Sequence, residues 1–341
     1  MVTASTILVI IALALTGKWS IVAKKLERLR VDWGPFATLV GCCLVLFLLR
    51  LPLAFEHYAF TPDMASYLTT RNYVLGTDYG WPPGLHTRPP LIGVLLVPVT
   101  FLFGDLWGSK LLALAFGVGL AVPIYVFARH WLRPWWALAA ALIAVIQPYT
   151  AMYTIGGYLP MVALFFALFA LRALLDRSYW AIFAAFMMAG FNGTIIPIYA
   201  LAGFAFVAPN RKGVLILALS GVAMLPWLYW FLQMGDAPVF PGPLFSISQF
   251  PETLWYAAAV VCALPFFLAS PRLRRLGVLC VIFAIASNIQ SAHNTFTAIL
   301  WRTHYMVPVL LVVGSMYFAS RCMDWARQWH TAKRFHATGT P

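Results

Sequence analysis

Charge is the scarcest resource in this sequence: Asp, Glu, Lys and Arg together make up 10% of 341 residues. Soluble domains carry roughly a quarter charged residues, so a soluble globular class is excluded. No polar stretch reaches domain size, which leaves no soluble domain to place beside the apolar segments. Ten-residue segments of alternating polarity are absent as well, and with them the signature of a membrane β-barrel. Cysteine is rare. Cys42, Cys43, Cys262, Cys280 and Cys322 lie in apolar runs or beside the basic tail without metal-ligand spacing, and read as small core residues rather than disulfides. His57, His86, His293 and His304 show no tight ligand spacing either. The residues therefore indicate no metal and no cofactor.

What the chain has in abundance is apolar surface, at 62% hydrophobic and 16% aromatic residues. Segments of about 20 apolar residues recur along it, as bilayer-spanning helices require. The fold class expected is all-α, a polytopic integral membrane protein. The net charge of +13 arises from short Lys/Arg clusters between apolar runs, the pattern of loops kept in the cytoplasm, and nucleic acid is excluded as a partner. The first apolar segment, 2–17, precedes Lys18, Lys24, Lys25, Arg28 and Arg30, the reverse of the charge order in a signal peptide. It is expected either to span or to lie in the interface.

Residues 35–55 form the first full-length span. Arg50 near its outer end either snorkels to the headgroups or contacts an anionic lipid ligand. The apolar run 91–103 is too short to cross and reads as a juxtamembrane or half-inserted helix, followed by a span from Leu106 to Ala128. Later segments alternate, with a break at Gly190–Gly193, to give about 11 transmembrane helices in all. In this layout only Arg50, Arg71, Arg88, Lys110 and Arg302 among the basic residues lie outside, with Glu56, Asp63, Asp78, Asp105, Asp236 and Glu252. Three divisions follow: an N-terminal apolar segment and basic loop (1–34), the polytopic domain (35–320) with an outer loop over 56–105, and a basic tail (321–341).

The outer loop gathers reactive side chains that the rest of the chain lacks: Glu56, His57, Asp63, Arg71, Asp78, His86 and Arg88. Two further outer loops add Asp236 and Glu252, then His293, Arg302 and His304. A carboxylate as base and cations to hold an anionic head are what chemistry at a membrane surface needs. Solvated loop groups are the plain alternative. Asp63 after Pro62 is also suited to cap a helix running towards Arg71, a use compatible with catalysis.

Order narrows these choices. The loop reads Pro62-Asp63-Met64-Ala65-Ser66-Tyr67, then Gly76, then Thr87-Arg88-Pro89-Pro90-Leu91, then Phe103-Gly104-Asp105 and a small-residue-rich span ending in Arg129. Late in the chain stands Trp301-Arg302-Thr303-His304-Tyr305-Met306-Val307-Pro308. This succession resembles the polytopic glycosyltransferases of the C-type fold, such as the protein O-mannosyltransferase and aminoarabinose transferase families. The likeness covers Pro62 to Leu132 and the late motif. It departs from the families in two respects: no acidic neighbour adjoins Asp63, and no large soluble C-terminal domain is present.

The resemblance implies transfer of a sugar from a polyprenyl-phosphate donor to a glycan, lipid or protein acceptor, at the extracytoplasmic face of the plasma (inner) membrane. It implies Asp63 as general base and Arg88 on the carrier phosphate, through the planar fork of its guanidinium. His86, Arg71, Tyr67, Arg302, His304 and Tyr305 follow as substrate-binding candidates. Since these families contain metal-dependent and metal-independent members, a divalent ion is admissible but not indicated. Two rival readings stay open: a non-catalytic membrane subunit that keeps the fold, and a transporter or flippase of a lipid-linked solute. The oligomeric state is not legible.

Overall fold

The computed structural model describes residues 33–56, 62–77, 90–191, 210–233, 251–271, 273–288 and 306–338. Among them the regular structure is entirely helical, as the scarcity of charge and the length of the apolar runs require. The helices are α1 (Trp33–Glu56), α2 (Pro62–Leu75), α3 (Pro90–Gly119), α4 (Ala121–Ala128), α5 (Pro134–Ile146) and α6 (Pro148–Ile155). They continue with α7 (Met161–Leu175), α8 (Trp180–Phe191), α9 (Arg211–Gln233), α10 (Pro251–Ala269), α11 (Arg274–Asn288) and α12 (Met306–Thr338). Five of them, α2, α3, α5, α6 and α10, begin on proline, whose fixed φ suits the first helical position and whose missing N–H is no loss there.

Among the described residues four helical stretches are long and apolar enough to cross a bilayer: Trp33–Glu56, Pro90–Ala128, Arg211–Tyr229 and Met306–Thr331. Pro134–Ile146, Met161–Leu175, Trp180–Phe191 and Ala257–Ala269 are shorter apolar helices. The expected number of crossings is not reached by the long helices alone. The break expected at Gly190–Gly193 falls at the end of α8, and residues 192–209 lie outside the described ones. At the C-terminus α12 carries the last span into the basic tail as one helix of 33 residues.

The stretch from Pro90 to Ala128 is 39 residues long, far more than one crossing needs. It is broken as the sequence led us to expect. Gly104 adopts φ 76° and ψ 168°, a backbone region that is essentially glycine's alone. The chain folds back there, and a Cβ on Gly108 would lie 2.8 Å from the backbone of Thr100. Residues 90–103 thus form a separate limb packed against the start of the following span.

Small residues let the helices approach. On α5, Ala137, Ala140, Ala141 and Ala144 are buried, and on α8, Ala181, Ala184, Ala185 and Ala189. The i, i+3, i+4 spacing common to both sets is the membrane's way of closing a helix interface without hydrophobic drive. Phe267 of α10 fits between two glycines: a Cβ on Gly277 would lie 2.7 Å from its Cβ, and one on Gly314 would lie 2.3 Å from its Cε1. Outward faces are apolar instead. Leu44, Val45, Leu48 and Leu49 of α1 and Val214, Leu215 and Val222 of α9 are exposed, as helix surfaces meeting lipid tails are.

Candidate active site at the Asp63 end of the bundle

The helix that carries Asp63 is not a surface connection. Met64, Ala65, Ser66, Tyr67, Leu68, Thr69 and Thr70 of α2 are all buried, so no side of the helix is left to solvent between Met64 and Thr70. Its two threonine hydroxyls are satisfied within the helix: Thr69 donates to the Ala65 carbonyl and Thr70 to that of Ser66, each at 3.0 Å. The helix ends cleanly. Gly76 takes φ 68°, its N–H donates to the Tyr73 carbonyl at 3.1 Å, and that of Thr77 donates to Asn72 at 3.0 Å. This is the left-handed cap that glycine makes without strain.

Asp63 is the second residue of α2. The following residue, Met64, packs on the turn after α6. Gly157 there has φ 80°, and a Cβ on it would lie 3.0 Å from Met64 Sδ and 3.3 Å from Lys110 Cγ. Glycine is needed twice over at this point, for its conformation and for the close approach.

Lys110, which the sequence placed only among the outer charges, is buried beside this helix. It is 2% exposed, donates from Nζ to the Ala54 carbonyl at 3.0 Å, and lies 5.7 Å from the centre of the Trp107 ring. Trp107 in turn stacks on Phe55 at 4.3 Å. The signal was a lone cation inside an apolar run, which is costly in a membrane and rarely without purpose.

Arg50 forms the second buried cation. It does not snorkel: it is 6% exposed and points into the bundle, donating from Nη2 to the Val145 carbonyl at 2.8 Å. Its Nη1 is buried without a hydrogen-bond partner, as is the Ser109 hydroxyl. The carbonyls of Val145 and Ala54 both belong to the last turns of their helices, where the dipole is negative and backbone oxygens lack intrahelical partners. Each cation is therefore held by a helix end.

Arg71 faces Asp105. Its guanidinium forms an ion pair with the Asp105 carboxylate, with a second contact from Nη2 to Oδ2 at 3.3 Å, and Nε donates to the Asn72 side chain at 3.0 Å. Asp105 follows the Gly104 turn, so the pair fastens α2 to the bend in α3. Just before it, α2 meets the first limb of α3, where a Cβ on Gly93 would lie 3.0 Å from the Arg71 nitrogen. Tyr67 is 1% exposed and sits in the core. His86, Arg88, Arg302, His304 and Tyr305 lie outside the described residues, as do the side chain of Asp63 and the histidines at 57 and 293. Among the described residues no group of three or more His, Cys, Asp and Glu converges.

An enclosed helix carries an aspartate in its first turn, a short limb folds back at a glycine, and a span follows with a buried cation. The solved structure of ArnT from Cupriavidus metallidurans bound to undecaprenyl phosphate superposes on this chain with a TM-score of 0.54, at 17% identity. The match covers 91% of this chain and 64% of that one. The fold is that of the C-type membrane glycosyltransferases. The chain thus spans 64% of the length of the C-type enzyme it matches. No family model matches the sequence, and neither does any curated protein.

Proposed function

We propose that the chain is a membrane glycosyltransferase that takes a sugar from a polyprenyl-phosphate carrier and gives it to a glycan, lipid or protein acceptor. The observation that carries this reading is the superposition on ArnT, whose solved structure holds undecaprenyl phosphate. The burial of α2 from Met64 to Thr70 supports it, since a helix segment enclosed on all sides is held in a fixed position. The charge asymmetry of the sequence supports an extracytoplasmic site in the plasma (inner) membrane.

In this reading the acceptor hydroxyl or amine attacks the anomeric carbon while the bond from that carbon to the phosphate oxygen breaks. The acceptor proton passes to the Asp63 carboxylate, and the leaving group departs as the polyprenyl phosphate anion. Arg88 holds that anion by charge-assisted hydrogen bonds, with Arg302 and His86 as further donors. His304, Tyr305 and Tyr67 complete the substrate-binding set. Arg71 serves it through its pair with Asp105.

The test is sugar transfer by the purified chain from a panel of polyprenyl-phosphate sugars, compared with Asp63→Asn and Arg88→Ala. Wild-type transfer lost in Asp63→Asn supports the reading. Arg88→Ala is expected to lose about two to three orders of magnitude in turnover, the cost of one donor to a developing oxyanion. Lipid binding without transfer by wild type points instead to a non-catalytic subunit. Movement of the carrier across vesicles without transfer points to a flippase.

A further inference from the structure

The residues before Gly104 are not those of a turn that faces water. On the first limb of α3, Ile92, Gly93, Leu96 and Thr100 are buried against the protein. Burial stops there. The next three residues, Phe101, Leu102 and Phe103, are 88%, 70% and 52% exposed, and the glycine that reverses the chain follows them directly. Reversals on a wetted surface are built from small and polar residues, and a soluble surface seldom gathers large apolar side chains in one place. Here two phenylalanines and a leucine project from the turn together.

Their position in the fold says what surrounds them. The second limb runs from Asp105 to Ala128 and delivers the chain to Arg129 and Arg133, which the charge pattern of the sequence assigns to the cytoplasm. At 1.5 Å per residue that limb is about 36 Å long, enough to cross a hydrocarbon core of ~30 Å and end in the outer interface. The tip therefore stands at the depth of the headgroups and the upper acyl carbons. The outer end of α1 meets the same region: Phe55, in its last turn, stacks on Trp107, three residues past the turn, at 4.3 Å. Further down α1, Leu48, Leu49 and Leu53 are exposed and continue the lipid-facing side of that helix. The tip is thus the upper edge of a surface that already meets lipid tails. Asp105, the first residue after the turn, is directed instead to Arg71 of α2.

We infer that the Gly104 tip is a membrane foothold, with Phe101, Leu102 and Phe103 inserted among the lipids of the outer leaflet near the boundary of headgroups and acyl chains. Phe and Leu side chains settle at this depth when an element lies in the interface rather than across the bilayer. A reversal of the backbone is accepted there because water and headgroups reach its polar groups, as they would not at the bilayer centre. The partner is a lipid surface irrespective of headgroup charge, since the three side chains that meet it carry none. Through Asp105 and Arg71 the foothold is fastened to α2, so the bilayer sets the depth of the helix that carries Asp63. None of this depends on whether the chain transfers sugar.

The test uses the full chain with its five cysteines replaced by alanine and one new cysteine, Leu102→Cys, Leu48→Cys or Thr77→Cys, labelled with the fluorophore NBD. Each protein is placed in phosphatidylcholine nanodiscs with or without a lipid that carries a nitroxide high on its acyl chain. Leu48 is exposed on the lipid-facing side of α1, and Thr77 is an exposed polar residue beyond the cap of α2, so they supply the lipid and water references. Nitroxide quenching at position 102 should exceed that at position 77 and approach that at position 48. Quenching no greater than at position 77 overturns the proposal, whether iodide then reaches the label, as at a tip in water, or fails to, as at a tip covered by another protein chain. Since a label can enter lipid on its own, Phe101→Asp/Phe103→Asp is added to the Leu102→Cys protein. Both positions are exposed, so the fold is retained, and the two carboxylates should expel the tip and abolish the excess quenching at position 102. An excess that persists in this variant belongs to the label and likewise overturns the proposal.

Discussion

Arg71 and Asp105 join two elements that the sequence separates by a loop and a short helix. The arginine leaves the second half of α2, and the aspartate stands one residue beyond the Gly104 turn, so their ion pair locks the Asp63 helix to the bend of α3. Its partners differ in exposure, 12% for Arg71 and 47% for Asp105, so water screens it in part. We therefore expect a coupling of about 1 kcal/mol in a double-mutant cycle of Arg71→Ala and Asp105→Asn, the scale of a partly exposed pair. Thermal unfolding in detergent measures it. Additive single effects would remove the pair from any role in fixing α2.

The Gly104 turn itself has a separable cost. A Cβ there meets nothing within 4 Å, so Gly104→Ala is opposed by backbone conformation alone. The expected loss is about 1–3 kcal/mol, the range for a residue forced into a glycine-only region. Gly41 offers the control: it also faces open space but lies inside α1, where alanine is favoured by about 0.5–1 kcal/mol. Opposite signs in the melting temperatures of Gly104→Ala and Gly41→Ala are the outcome to look for.

How much of this was legible beforehand follows from what local sequence encodes. The turn at Gly104 was readable because a run of apolar residues too short to cross ends there in Gly-Asp, before a full-length span begins. The helical class was readable from composition. The enclosure of α2 was not, because its mean polarity resembles that of a loop and its burial comes from neighbours far away in the chain. Arg50 shows the same limit: nothing near it in sequence announces that Val145 would offer a carbonyl, so snorkelling was the natural local reading. Lys110 was counted only as an outer charge. That it is sealed between Ala54 and Trp107 depends on how α1 packs on α3. The match to ArnT agrees with the motif order, while the roles of Asp63 and Arg88 rest on that order alone.

Gly190 should reveal how the folded-back limb is held. A Cβ at this position would lie 2.3 Å from Leu91 Cδ1 and 3.0 Å from Trp227 Cε2. Gly190→Ala is expected to destabilise by about 1–3 kcal/mol, as overpacking of a tight interface does. Leu91→Ala in the same background should recover part of that loss by vacating the space. If it deepens the loss instead, Gly190 is not where the limb meets α8.

His130 gives the protein a pH dependence whose sign can be worked out. Burial holds its pKa below the ordinary value, Arg172 lowers it further, Asp176 opposes that, and Arg275 adds to the lowering. Arg129, Arg133, Arg321 and Asp324 line one recess with it. In the unfolded chain the imidazole titrates near 6.5, so below that pH the unfolded state takes up a proton that the folded state refuses. Stability is then full above about pH 6.5 and falls as the pH drops towards the lowered folded pKa, below which the penalty stops growing. His130→Gln removes the group and should flatten this part of the curve without altering stability at pH 8. A wild-type curve that stays level between pH 5 and 6.5 would show that the His130 environment does not oppose its protonation.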